Sequence, residues 1–286
     1  MAGPLCLTVK QEKRSEPPML KTVQRHFREI APSYSKIRTT DLEPVNVIRK
    51  QLQNRTDFLT LEVGCGNGRY TVKLLDVLPS QIEYTCIDIN TWMLEYLKKN
   101  LELIDRHDVR VMRASAEKLP FPSQTVDVIL TFNAIHHFDI PVFLNESART
   151  LNDGGYLFIY TRLKRQNARH IWGKYFPLFH AKETRLRELE DFKHMVKRIP
   201  RLRIASVKKF RFARQATFDR LIEQVKHRHY STFDLYAPVE FRRAFSVFKK
   251  NLHTFFKDQQ HIGWVDENTL IIVRKKRTNT QRNTLR

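Results

Sequence analysis

Between residues 58 and 161, short apolar runs alternate with segments whose apolar residues recur at helical spacing. The order is FLTLEVG, GRYTVKLLDVL, EYTCIDI, WMLEYLKKNLELI, VRVMRA, VDVILTF, VFLNESARTL and GYLFIYT. Brief runs rich in β-branched and aromatic residues read as strands, and segments with a period near 3.6 read as amphipathic helices. Strands that recur with helices between them bury both faces of one sheet. The pattern predicts an α/β chain, doubly wound, with a parallel sheet covered by helices on both sides.

Outside that stretch the reading divides the chain further. Residues 1–19 are polar, close on Pro17-Pro18 and are expected to form a flexible lead-in. In LKTVQRHFREIAPSYSKIR, Val23, Phe27 and Ile30 lie at helical spacing until Pro32, and EPVNVIRKQL follows as a second helix. Both are assigned as lid helices on a core spanning residues 20–163. From 164 to 200 the chain turns helical and basic, with Trp172, Tyr175, Phe176 and Phe179 clustered in it, which predicts a helical cap insert. RLRIASVKKFRFAR reads as a strand, and residues 217–258 as two or three amphipathic helices broken near Ser231 and Pro238. TLIIVRK reads as a final strand introduced by a turn at VDEN, so residues 201–274 are two strands with a helical insert. Residues 275–286 are expected to be a basic tail.

Charge is distributed unevenly along the 286 residues. Residues 1–150 carry 20 Lys and Arg against 18 Asp and Glu, whereas residues 151–286 carry 31 against 12, so nearly all of the +21 net charge lies in the second half. Such a half attracts polyanions at low salt, although part of it is the solvated run RKKRTNTQRNTLR. No apolar stretch is long enough to span a bilayer, and the amino terminus lacks a signal-peptide pattern. Cys6, Cys65 and Cys86 are scattered singly, which argues against a disulfide set or structural zinc. A soluble, cytoplasmic protein without metal is expected.

The stretch LEVGCGNGRYT, residues 61–71, places Gly64, Gly66 and Gly68 directly after a strand. Glycines there let the backbone turn sharply and approach a ligand without Cβ interference. A dinucleotide site more usually reads GxGxxG and aims a pyrophosphate at the following helix. This chain reads GxGxG, and Glu62 stands two residues before the first glycine. A carboxylate repels a pyrophosphate and suits a ligand bearing an ammonium group.

LEVGCGNGRYT resembles the first motif of class I S-adenosylmethionine-dependent methyltransferases, and CIDIN, ASAEKLPFPSQTVDVIL and FNAIHHF resemble later motifs of that family in the same order. The resemblance covers residues 20–160, about half the chain, and extends to the ubiquinone-biosynthesis-like small-molecule group. It implies a Rossmann-like seven-stranded methyltransferase sheet with a helical cap, and S-adenosyl-L-methionine as cofactor. It implies cofactor contacts at Glu62, Gly64, Cys65, Gly66, Asn67 and Gly68 in the loop, and at Asp88 and Ile89, where Asp88 takes the ribose hydroxyls. Ser115, Ala116 and Glu117 would border adenine, with apolar help from Leu119, and Asn133 would lie beneath the methionine portion. Relatives often carry Asp where this chain has Ser115, so a weaker adenine contact is expected. Asp88 also has a structural reading as a cap of the next helix, Asn133 as a strand-end cap, and Cys65 and Cys86 as small buried fillers.

The reaction implied is methyl transfer to a nucleophile, with His136, His137 or Tyr34 as candidate bases where the acceptor must lose a proton. Residues expected to select the acceptor are Phe27, Arg38, Trp172, Tyr175, Phe176 and Tyr230. Aromatics in the inserts and the lid-like HFREIAPSYSKIR favour a small organic acceptor. The basic second half, and the likeness of FNAIHHF to tRNA methyltransferases, leave RNA as an alternative acceptor. A catalytically silent cofactor-binding or partner-binding protein is the remaining alternative.

Overall fold

Seven strands form one sheet in the order β3-β2-β1-β4-β5-β7-β6, seen in a computed structural model that describes residues 38–277. The lead-in, the first lid helix, Phe27, Tyr34, Cys6 and the tail beyond residue 277 lie outside the described residues. Strands β1 (Leu59–Val63), β2 (Glu83–Asp88), β3 (Arg110–Arg113), β4 (Val126–Phe132) and β5 (Leu151–Thr161) run parallel. Their near-continuous apolar runs suit strands buried on both faces. In β4 six of seven residues are buried.

Helix boundaries follow local chemistry. The second predicted helix is present as α1 (Glu43–Leu52), with Pro44 in its first turn and Val45, Ile48 and Leu52 buried on one face. α2 (Arg69–Leu75) follows β1. α3 (Thr91–Glu102) starts where the Asn90 side chain accepts from the Met93 N–H at 3.1 Å. α4 (Ile140–Thr150) is capped in the same way by Asp139, at 3.2 Å from the Val142 N–H. Packed on opposite faces of the sheet are two cores, one around Leu74, Leu97 and Phe158 and the other around Ile129, Phe143 and Leu157.

After β5 the chain builds the cap: α5 (Lys164–Arg169), α6 (Ile171–Tyr175), α7 (Phe179–Lys182) and α8 (Leu189–Lys197). β6 (Leu202–Ala216) follows, then the insert with α9 (Phe218–Lys226), a 3-10 turn at Ser231–Leu235 and α10 (Pro238–Phe255). The breaks fall at the two places the sequence marks. Trp172, Phe176, Phe179, Phe233 and Phe248 form a third core that joins the two cap segments.

β7 (Ile262–Lys275) corrects two expectations. It runs antiparallel to both β5 and β6, so the sheet is mixed. It also begins before VDEN, whose residues pair with β6 from Phe210↔Asn268 to Ala213↔Val265 and form no turn. Pairing of β7 with β5 stops at Thr161↔Thr269, so residues 210–216 and 262–268 project past the sheet as a two-stranded ribbon. No helix among the described residues is long and apolar enough to cross a membrane.

Candidate functional site

At the carboxyl end of β1 the chain turns back on β2: the N–H groups of Gly64 and Cys65 both donate to the Ile87 carbonyl, at 2.8 and 3.1 Å. Gly64, Gly66 and Gly68 all adopt left-handed backbone, with φ of +68°, +57° and +83°, which only glycine takes without strain. Their surroundings differ. A Cβ on Gly64 would lie 2.6 Å from Ala134 Cβ, and one on Gly68 2.3 Å from Leu97 Cδ1. Beside Gly66 a Cβ would meet nothing within 4 Å. Gly66 therefore faces a cleft of about 970 Å³, bordered by β1, β2 and β4 ends.

Glu62 lines this cleft at 1% exposure, and its Oε2 accepts from Thr71 Oγ1 at 2.7 Å and Tyr84 OH at 2.8 Å. Burial outweighs those bonds and pushes its carboxyl up to about 7. Asp88, at the tip of β2, accepts from the Gly66 N–H at 2.9 Å and the Asn90 N–H at 2.8 Å, one on each oxygen. Burial raises its carboxyl while these N–H donors hold it down. Asn67 is 2% exposed and its Oδ1 has no hydrogen-bond partner among the described residues, while its backbone carbonyl accepts from Asn100 Nδ2 at 2.9 Å.

Ile89, Ser115, Ala116 and Glu117 border the same cleft. Ser115 is turned inward on its own segment: its hydroxyl donates to Glu117 and accepts from the Glu117 N–H at 3.2 Å. Glu117 in turn accepts from the Asp139 N–H at 2.9 Å, tying the β3 loop to the start of α4. Leu119, at 3% exposure, belongs to the core beneath and does not reach the cleft. Cys65 and Cys86 are buried, and burial raises both thiols, that of Cys65 well up, which suits small buried fillers more than reactive thiolates.

Asn133 directly follows β4 with φ of +53° and donates its N–H to the Tyr160 carbonyl at 2.8 Å. The 3-10 turn Ile135–His137 follows and brings His136 and His137 to the cleft, their rings 4.1 Å apart. His136 Nδ1 has no hydrogen-bond partner among the described residues. Burial, then the charges of Arg185, Arg38 and Arg162, hold His136 neutral well below the usual imidazole range. His137 Nδ1 lies 3.5 Å from Arg185 Nη1, which as a guanidinium can only donate.

Asn133, His136, His137 and Arg69 also border a second cavity, a chamber of about 130 Å³ under the cap. Part of its wall comes from the projecting ribbon, through Arg214, Trp264, Asp266 and Asn268. Side chains alternate along a strand and direct partners share a face, so Arg214 paired with Trp264 and Phe212 paired with Asp266 present one surface. Asp266 ion-pairs with Arg162 and Arg214 and lies 3.3 Å from His170 Nε2. Arg162 also donates to Tyr230 OH at 3.2 Å, and Arg38 stacks 4.0 Å over the Tyr230 ring. Asp41 accepts from Tyr160 OH at 2.8 Å and pairs with Arg214. Glu183 accepts from Arg185 Nε at 2.8 Å and Thr232 Oγ1 at 2.6 Å.

The sequence-named residues therefore separate. Glu62, Gly64, Cys65, Gly66, Asn67, Asp88, Ile89, Ser115, Ala116, Glu117, Asn133, His136 and His137 all border the cleft. Gly68 does not; it is the N-cap of α2 and makes room for Leu97. Arg38, Tyr230 and Trp172 border the chamber. Phe176 is buried in the cap core, and Tyr175 packs on Phe255 and Phe256; neither borders either cavity, so both are corrected to packing residues. Arg162, Arg185, His170, His229, Arg214, Trp264 and Asp266 were not named from sequence. The alternation in FRFARQA and IGWVDEN was the available signal, and it is obscured when VDEN is read as a turn. No cluster of metal-ligating side chains occurs among the described residues.

Residues 61–159 match the family of methyltransferase domains. A Dictyostelium discoideum protein named as a methyltransferase is 32% identical over 136 residues, which are 47% of this chain and 48% of that protein. The phthiotriol/phenolphthiotriol dimycocerosates methyltransferase of Mycobacterium tuberculosis is 36% identical over 115 residues, 39% of this chain and 40% of that protein. The chain thus spans at most about half the length of these curated relatives. The fold is shared with a phosphoethanolamine N-methyltransferase 2 of Haemonchus contortus, solved with phosphomonomethylethanolamine and S-adenosylhomocysteine. That structure has a TM-score of 0.57 and 14% identity, covering 92% of this chain and 61% of the other.

Proposed function

We propose that this chain, whose residues 61–159 match the family of methyltransferase domains, is a class I S-adenosylmethionine-dependent enzyme that transfers a methyl group from that cofactor to a small organic acceptor. The bound cofactor supplies a methyl group already activated on a sulfonium; the protein supplies binding and alignment. The observation that carries the reading is the placement of Asp88 beside Gly66, with each carboxylate oxygen fixed by a backbone N–H and the space next to Gly66 open.

The residues present fit this cofactor. Asp88 retains acceptor capacity for two ribose hydroxyls, since a carboxylate offers about four lone-pair positions. Glu62 and the unpartnered Asn67 Oδ1 suit the ammonium of the amino-acid end. Ile89 and Ala116 offer apolar walls to adenine, while Ser115 has spent its proton on Glu117. His136, held neutral, is a weak base; it suits orienting an acceptor by a hydrogen bond more than stripping a proton from it.

Calorimetry with S-adenosylhomocysteine tests the first half. Binding is expected in wild type, and Asp88→Asn is expected to weaken it about 10-fold or more, the scale for hydrogen bonds to a charged group; because its NH2 would face one of the two backbone N–H donors, binding is compared at a temperature where denaturation shows the variant folded. Incubation of cell extract with isotope-labelled S-adenosylmethionine, read by mass spectrometry, tests the second. Label in a small organic product supports the reading; label confined to RNA, or no transfer despite tight binding, overturns it in favour of the other two alternatives.

A further inference from the structure

Helix α10 (Pro238–Phe255) buries one side in the cap core and turns the other outward. Ala244, Phe248 and Leu252 are buried, with Phe241 and Phe245 packed beside them. At 3.6 residues per turn, Val239, Arg242, Arg243, Ser246, Lys250 and His253 fall on the opposite side, and all of them are exposed. Lys249 and Val247 flank that stripe, and Lys257 follows just past the helix.

The charge on this face has one sign. FRRAFSVFKKNLHTFFK, residues 241–257, contains five Lys and Arg and no acid. The acids at its two ends are engaged elsewhere, Glu240 with Lys182 at 2.7 Å and Asp258 with His261 at 2.9 Å. Among the described residues, no carboxylate pairs with Arg242, Arg243, Lys249, Lys250 or Lys257. Solvated helices ordinarily carry both signs in pairs, and the other cap helices do so: Lys193 pairs with Glu190 on α8, and Lys226 with Glu223 on α9. On α10 the cations instead recur along a helix roughly 27 Å long. Such a row attracts an extended anionic surface.

Neighbouring side chains identify that surface. Val239 is 70% exposed and Val247 38%, on the side that carries the cations. Leu178, 54% exposed, stands just before α7, which Lys182 ties to Glu240 at the start of α10. Aliphatic side chains among cations gain from the acyl boundary beneath lipid head groups, whereas a nucleic acid meets them with phosphate and sugar. A single strand of nucleic acid would be held by stacking on aromatics. The outer stripe offers none, because Phe241, Phe245 and Phe248 pack in the core.

We infer that the outer face of α10 docks the protein on an anionic lipid bilayer, with Arg242, Arg243, Lys249 and Lys250 on the head groups and Val239 and Val247 at the acyl boundary. None of these residues borders the cleft or the chamber. The inference therefore goes beyond the methyltransferase reading and does not depend on it. The cap is the side of the molecule turned to the membrane.

Vesicle flotation of the full chain at about 0.15 M salt tests this. Phosphatidylcholine vesicles containing about 30% phosphatidylserine are expected to bind at least ~10-fold more tightly than phosphatidylcholine alone. A triple variant, Arg242→Gln, Arg243→Gln and Lys250→Gln, is expected to weaken that binding about 10-fold or more. A second triple variant, Arg203→Gln, Lys208→Gln and Lys209→Gln, removes equal charge from exposed positions on the edge strand β6 and is expected to weaken it less than ~3-fold. Val239→Ser combined with Val247→Ser is expected to weaken it about 3-fold or more. Every substituted side chain is exposed, and thermal denaturation checks that each variant is folded. Equal binding to the two kinds of vesicle, equal loss in the two triple variants, or binding untouched by the valine pair overturns the inference. So does a first triple variant that loses affinity for bulk tRNA but keeps its affinity for vesicles.

Discussion

Glu62 lies at 1% exposure with the hydroxyls of Thr71 and Tyr84 in place of its hydration. Its carboxyl is raised from 4.5 to about 7 by burial, so the folded state holds a proton that the unfolded state releases between those values. Stability from this group is fully present below about 4.5 and is lost as pH rises through about 7. The span corresponds to roughly 3 kcal/mol at most. Urea midpoints of wild type and Glu62→Gln between pH 5 and 8 check this: the difference is expected to move in favour of the Gln variant as pH rises. Parallel pH profiles would show that the carboxyl is not titrating there.

Among the elements, the turn from β1 into α2 separates two jobs that look alike in the sequence. Gly68→Ala puts a methyl into Leu97 at φ +83° and is expected to destabilise by about 1–3 kcal/mol. Gly66→Ala meets no atom, so it is expected to cost only the left-handed backbone term, about 1–2 kcal/mol, but to reduce S-adenosylhomocysteine affinity more than Gly68→Ala does. Thermal denaturation and calorimetry on the pair distinguish the two; equal losses of affinity would contradict the assignment. The glycine spacing announced a strand-to-helix turn, because backbone freedom is a local property. It did not announce that Gly68 serves Leu97, a contact across 29 residues. Likewise β1 to β5, α1 and the insert breaks near Ser231 and Pro238 were legible from period and Pro placement. The pairing of VDEN was not, since turn-prone residues enter a strand when a long partner such as β6 supplies the ladder. Trp172 and Phe176 drew attention as aromatics, but only packing shows that one borders a cavity and the other fills a core.

Across the whole molecule, Asp266 joins regions far apart in the chain: Arg162 after β5, His170 after α5, and Arg214 on β6. Side-chain exposure of 10% for Arg162 and 14% for Asp266 makes this a desolvated pair. Removing one partner leaves the other charge uncompensated, so Asp266→Ala is expected to destabilise by about 3–5 kcal/mol. Chemical denaturation checks it, and a loss below about 1 kcal/mol, the range of exposed pairs, would show the network to be peripheral. The uneven charge is now placed in part: two of the second half's arginines, Arg162 and Arg214, border the chamber and three more, Arg185, Arg187 and Arg198, border the cleft, which no count along the chain could reveal.

The ribbon that projects beyond the sheet carries a consequence for how such a protein changes over time. Cofactor-facing loops hang from the parallel strands, whereas Arg214, Trp264 and Asp266 sit on two overhanging arms joined by a helical insert. Mutations that lengthen, shorten or recolour those arms alter one wall of the chamber without disturbing the sheet that holds the glycine turn. The overhang acts as an exchangeable bit on a fixed handle, and the chamber wall it supplies can drift while the glycine turn stays constant.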